Sequence, residues 1–199
     1  MEDYGQADLL QVHLGLTPEV SSKIAAIITF AGAIEYFLER ALWRLHGIDP
    51  KGIRPDTDAK KISDLIGMLE TYGEALTADD HRAFVATWCS AANSGFVVRH
   101  NIAHGVPLKM GDTLAYMRNP RWEGEIRKRD FGDFWADVHT LGLVREAMAV
   151  LYRSIALLAK DDTSVADVAT EQAKRAVRTA RSVLSEFASQ TYNPSLEKY

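Results

Sequence analysis

The sequence predicts an all-α bundle of about five helices with one small insertion, and three observations predict it. Apolar residues recur at steps of three and four along most of the chain, the spacing that puts them on one face of a helix. Helix-start signals stand in front of several of these runs. The period changes once, between residues 106 and 131, where a small β-hairpin or ordered loop is expected. The 199 residues suffice for one well-buried core, so residues 1–199 are read as a single domain.

Residues 1–16 lack periodicity and read as an N-terminal arm. Thr17-Pro18-Glu19 then has a capping hydroxyl, a proline at the first helical position and an acid in the first turn. Val20, Ile24, Ile27, Ala31, Ile34, Leu38, Ala41 and Leu45 follow as a long amphipathic helix closed by Gly47. Pro50, Gly52 and Pro55 mark a loop. Ile62, Leu65, Ile66 and Leu69 set a shorter helix ending near Gly73. Thr77 with Asp80 is the expected cap of a third helix, whose apolar side runs Phe84, Val85, Trp88, Ala92, Phe96 and Ala103. Within it, Ser90-Ala91-Ala92-Asn93-Ser94-Gly95 has no bulky side chain. Another backbone can approach there, either inside the bundle or across a dimer.

After the insertion, Trp135, Val138, Leu141, Met148, Leu151, Ile155 and Leu158 define a fourth helix. Ser164 with Asp167 caps a fifth, with Val165, Val168, Ala176, Leu184 and Phe187 facing the core. Lys174, Arg178 and Arg181 line one side of it, either as solvated charges or as a phosphate-binding stripe. Residues 118–130 hold five basic and three acidic side chains, Arg118 and Arg121 among them, with the same two readings. Residues 191–199 read as a tail.

Composition narrows the class. With 47% hydrophobic and 25% charged residues the chain falls in the ordinary soluble range. The lone Cys89 excludes an internal disulfide framework and suits a reducing cytosol, so a cytoplasmic location is expected. No leader pattern and no apolar run of membrane-spanning length is read, so no membrane is expected. A net charge of −4 gives no whole-molecule attraction for nucleic acid, so such binding needs a local basic patch.

Chemistry concentrates in Arg99-His100-Asn101-Ile102-Ala103-His104-Gly105, at the end of the third helix. His100 and His104 have the i, i+4 spacing of two zinc ligands in H-E-x-x-H. Asn101 stands where that motif needs a glutamate, and no third ligand is evident, so no metal is expected. Arg99 with His104 suits phosphate chemistry better. A guanidinium directs several donors at a phosphate, and an imidazole exchanges protons near neutral pH. RNA cleavage fits, because the adjacent 2′-hydroxyl serves as nucleophile. Five residues turn a helix through roughly 500°, leaving the two side chains about 140° apart. Unwinding at His104 or a second copy of the helix has to reunite them.

This heptapeptide resembles the R-[polar]-x-x-x-H signature of HEPN domains (higher eukaryotes and prokaryotes nucleotide-binding), all-α bundles with the motif near a helix end. Ala33-Ile34-Glu35-Tyr36-Phe37-Leu38-Glu39 also resembles the family's first helix, where an acid often approaches the arginine. The resemblance implies a metal-independent endoribonuclease without cofactors, active as a homodimer, of the kind found as toxins paired with antitoxins or as antiviral-defence effectors. Carried over, Arg99 stabilises phosphate charge, His104 moves protons, His100 orients or assists, and Glu35 and Asn101 support. Asparagine or aspartate is frequent in the family where His100 stands. The alternative is a non-catalytic helical module that binds nucleotides or protein.

Overall fold

The computed structural model describes residues 5–111 and 113–189, so the tail read at 191–199 lies outside the described residues. Seven helices and a three-stranded antiparallel sheet make up the described chain. The expected arm carries a short helix, α1 (Ala7–His13), with no buried residue. The Thr17 hydroxyl accepts from Val20 N–H and Pro18 opens α2 (Pro18–Leu45), as the sequence signal requires. Such a cap stabilises a helix start by about 1 kcal/mol.

One sequence expectation needs correcting here. By length and composition α2 is apolar enough to cross a membrane, with a window of mean hydropathy 1.3 of which 22% is buried. In this fold its Ile27, Ala31, Ile34, Leu38 and Ala41 are fully buried in the core, and its nearest neighbour is α5 (Val138–Leu158). The Nε of Arg44 donates to the Leu158 carbonyl at 2.8 Å, placing a cation on the negative end of α5.

Helix α3 (Ile62–Glu74) packs on α4 (Asp79–His104). Helix α4 starts one residue past the expected position. Its N-cap is Ala78, and no side chain bonds there, so Thr77 and Asp80 do not form the expected cap. The indole of Trp88 donates to the Leu151 carbonyl at 3.1 Å, tying α4 to α5. Cys89 is fully buried, and burial pushes its thiol up to about 12, so it is no nucleophile.

The small-residue run of α4 is used inside the chain. Ala91 and Ala92 are fully buried. A Cβ on Gly95 would lie 2.8 Å from Met148 Sδ and 3.3 Å from Leu184 Cδ1, so α5 and α7 (Glu171–Phe187) close directly onto it. Of the two openings this run offered, bundle packing is the one occupied.

The expected fifth helix is divided. Ser164 and Asp167 do form a capping box, but on the one-turn α6 (Val165–Val168). The chain breaks at Ala169, and Thr170 caps α7 anew. Val177 is the fully buried residue of its first turns; Ala176, expected in the core, is half-buried.

The insertion is larger than a hairpin. Strands β1 (Val106–Met110) and β2 (Thr113–Arg118) pair antiparallel, Val106 opposite Met117. Strand β3 (Gly132–Trp135) adds to β2 with Arg118 opposite Gly132. Trp135 therefore belongs to a strand, and the helix assigned to it starts at Val138, capped by the Asp137 carboxylate on Thr140 N–H. Leu114, Ala115, Tyr116 and Phe134 are buried, which fastens the sheet to the bundle at the end of α4.

Candidate functional site

Helix α4 stays helical through His104 and leaves it without a left-handed residue, because Gly105 is extended at φ −84°. Glycine is needed there for space. A Cβ would run into the Asn101 carbonyl and lie 3.0 Å from Tyr116 Cβ. The last turns of α4 are thus pressed against β2.

Asn101 makes that join. It is 2% exposed; its Nδ2 donates to the Asp133 carbonyl at 2.7 Å, and its Oδ1 accepts from Arg118 Nε at 2.8 Å. A Cβ on Gly132 would sit 2.6 Å from that Oδ1 and 3.0 Å from Arg118 Nη2, so β3 contributes a glycine where these groups meet. Asn101, expected as a supporting polar group, is a buried clamp that fixes the motif on the sheet. Arg118, expected to bind RNA, is half-buried and holds the clamp from the other strand.

The clamp aims three side chains outward. Arg99 Nη1 donates to His100 Nδ1 at 3.4 Å, a long contact. A guanidinium has no acceptor, so His100 must be unprotonated at Nδ1 to receive it. The rings of His100 and His104 meet edge to face with centroids 5.4 Å apart. Arg99 and His104 are therefore joined through His100, which bridges the angle that separates them on the helix. Both histidines are exposed and Arg99 is half-buried.

The electrostatics have one sign. His100 is held below the ordinary histidine value of 6.5 by desolvation first, then by Arg99, His104, Arg118 and Arg129. Each of these charges is positive. Arg99 Nε is buried without a hydrogen-bond partner, and among the described residues Arg99 makes no ion pair. Glu35, expected as its partner, is half-buried on α2 and forms no ion pair there either. Among the described residues no ion pair joins a carboxylate to Arg99, Arg118 or Arg129.

None of the other expected basic residues is among the charges that bear on His100. Lys174 is committed to Asp80 at 2.6 Å and Glu171 at 3.1 Å. Arg178 and Arg181 are exposed on α7, and the charges that bear on His100 come from α4 and the sheet region. Arg121 is exposed in the β2–β3 loop. That loop also contributes Arg129, which the sequence reading did not single out. Its position nine residues after Pro120 carries no local signal for proximity to His100.

Among the described residues no group of three or more His, Cys, Asp or Glu side chains could hold a metal ion. A cavity of about 530 Å³ opens between α1, the start of α2 and β1, lined by Val12, Leu16, Lys109 and Asp137 and by none of the cluster residues. The cluster itself lies at the surface, with His100 and His104 exposed. Comparison of the chain with protein-family models, curated proteins and solved structures found no match.

Proposed function

We propose that the protein is a metal-independent endoribonuclease of the HEPN type, with Arg99, His100 and His104 acting on one phosphodiester. The observation that carries this reading is the uncompensated charge of the cluster. Arg99 has a buried Nε with no partner, two imidazoles stand beside it, and Arg118 and Arg129 add positive charge and make no ion pair among the described residues. A phosphate supplies the missing acceptors, and a guanidinium in this setting stabilises the charge that grows on it in the transition state.

The proton steps follow from the environment of each ring. Desolvation first, and then its cationic neighbours, hold His100 below the ordinary histidine value, so at neutral pH it is suited to accept a proton or a hydrogen bond. It is suited to take the proton from the 2′-hydroxyl as that oxygen attacks the adjacent phosphorus. His104 is exposed at the helix end and is suited to return a proton to the departing 5′-oxygen. The products are then a 2′,3′-cyclic phosphate and a 5′-hydroxyl. Neither step needs more than the RNA and these side chains.

A homodimer belongs to this reading. Asn93, Val97, His100 and His104 form an exposed stripe of α4 at steps of four and three, and Val97 is 40% exposed in it. A second copy covering Val97 would set two clusters side by side in one cleft. A role as a toxin held by an antitoxin, or as a defence effector, rests on the resemblance alone.

The test is RNA cleavage by purified protein with Arg99→Ala and His104→Ala in parallel. Each substitution should lower the rate at least about 100-fold while the circular dichroism spectrum stays that of the wild type. Wild-type protein that leaves RNA intact, with and without EDTA, returns the molecule to the non-catalytic binding module.

A further inference from the structure

We propose that the loop between β2 and β3, residues 119–131, is a platform for single-stranded RNA, on which an unpaired base next to the scissile phosphate stacks against Trp122. This rests on the ribonuclease reading and names the form of substrate that the same site accepts.

Four features of the loop point to it. The indole of Trp122 is 62% exposed, Ile126 is 102% exposed and Phe131 is 38% exposed, so apolar surface is held in solvent. Arg121, Lys128 and Arg129 are exposed and make no ion pair among the described residues. Of the loop's three acids Glu125 is neutralised, since Arg127 donates to it at 2.7 Å and holds its carboxyl down at about 2, while Glu123 and Asp130 stand exposed, so the loop's four basic side chains leave it one positive charge in excess. Finally, the loop has a built shape. Asn119 adopts φ +52° and its Nδ2 donates to the Asp130 carbonyl at 2.9 Å, closing the two ends together.

Its position links it to the chemistry. The loop leaves β2 at Arg118, whose Nε is on Asn101, and returns past Arg129, which bears on His100. A strand whose phosphate sits at Arg99 and His100 and that continues onto this loop past Arg129 would meet Lys128, Arg121 and the exposed indole of Trp122. Cations track a backbone whatever its sequence, and an aromatic face takes up a base only if that base is unstacked. In a duplex the base faces are covered and the deep groove is closed to side chains, so paired RNA offers this platform phosphates alone. Single strands, loops and bulges fit it.

The test uses the full chain and a short labelled 2′-O-methyl RNA, which lacks the nucleophile and is bound without being cut. Fluorescence anisotropy should show the single strand binding at least about 10-fold more tightly than a hairpin duplex of the same composition. Trp122→Ala should weaken single-strand binding by about 10-fold, and Trp122→Phe should keep most of it, with duplex binding unchanged. Trp122 is exposed, so the fold survives the change, checked by circular dichroism. Equal binding by Trp122→Ala and wild type, or a preference for duplex, overturns the proposal. Cleavage that needs Arg99 and His104 but is untouched by Trp122→Ala overturns it while the ribonuclease reading stands. Tryptophan-dependent binding without any cleavage leaves the platform and removes the ribonuclease.

Discussion

Helix α4 changes character along its length. From Phe84 to Val98 it is core, with Trp88, Cys89, Ala91, Ala92, Gly95, Phe96 and Val98 buried against α3, α5 and α7. From Arg99 to His104 only Asn101 and Ile102 are buried, and the rest face outward or half outward. The first part is held by apolar contact and by the absence of side chains at Gly95. The second is held by two hydrogen bonds from one carboxamide. One helix therefore supplies both the rigidity of the bundle and the placement of the cluster, from adjacent stretches, and substitutions should separate the two.

The largest separable effect is on stability. Trp88→Ala removes a side chain that is 2% exposed and its bond to Leu151. It should cost about 3–5 kcal/mol in a denaturant titration, and any loss of activity should track the unfolded fraction. If the folded fraction of that variant were inactive, the two parts of α4 would not be independent.

Asn101→Ala sits on the boundary and should show both effects. It leaves the Asp133 carbonyl and the Arg118 guanidinium without their partner, a loss of about 1–3 kcal/mol. The same variant should lower RNA cleavage in its folded state, because the motif is no longer fixed on the sheet. Loss of stability with unchanged activity would show that the cluster does not depend on the clamp.

The smallest effect is a titration. His100 lies below 6.5 in the folded chain, by desolvation and four positive neighbours. As pH falls the unfolded chain takes its proton first, near 6.5, so the stability this group contributes is complete above that value. It is lost as pH falls from there to the folded value. Histidine NMR signals should place His100 below 6.5, and Arg99→Ala or added phosphate should move it upward. A His100 that titrates unchanged when phosphate is added would deny the anion site.

Much of the bundle was legible because its signals are local. The apolar periods of α2 to α5, the Thr17-Pro18 cap and the Ser164–Asp167 capping box need only neighbours in sequence. The small residues at Ala91, Ala92 and Gly95 announced close packing, though not which surface would come close. Strand β3 was missed because Trp135 falls three residues before Val138 and so fits a helical step, while its pairing with Ala115 is a long-range event. The break at Ala169 was missed because a good capping box at Ser164 looks the same before one turn of helix as before six. Glu35 shares a helical face with Ile28, Ala31, Leu38 and Leu42 by spacing, but spacing within one helix does not say which side chain of another element it meets, and no ion pair joins it to Arg99 among the described residues.

At the cluster, the motif residues were visible as chemistry, and their arrangement was not. The angle between Arg99 and His104 is bridged by His100, which follows from side-chain conformation. The clamp through Asn101 joins residues 32 apart in sequence, and Arg129, whose charge bears on His100, is 29 residues away from it. Local pattern carries none of these.

The most direct test of the account is the chemistry of the ends that purified protein leaves on a single-stranded RNA, in EDTA. The expected ends are a 2′,3′-cyclic phosphate and a 5′-hydroxyl, with no cut where a 2′-deoxy residue replaces the nucleotide before the scissile bond. A 5′-phosphate product, or cleavage at the deoxy position, would mean that the cluster at Arg99, His100 and His104 does not act as described.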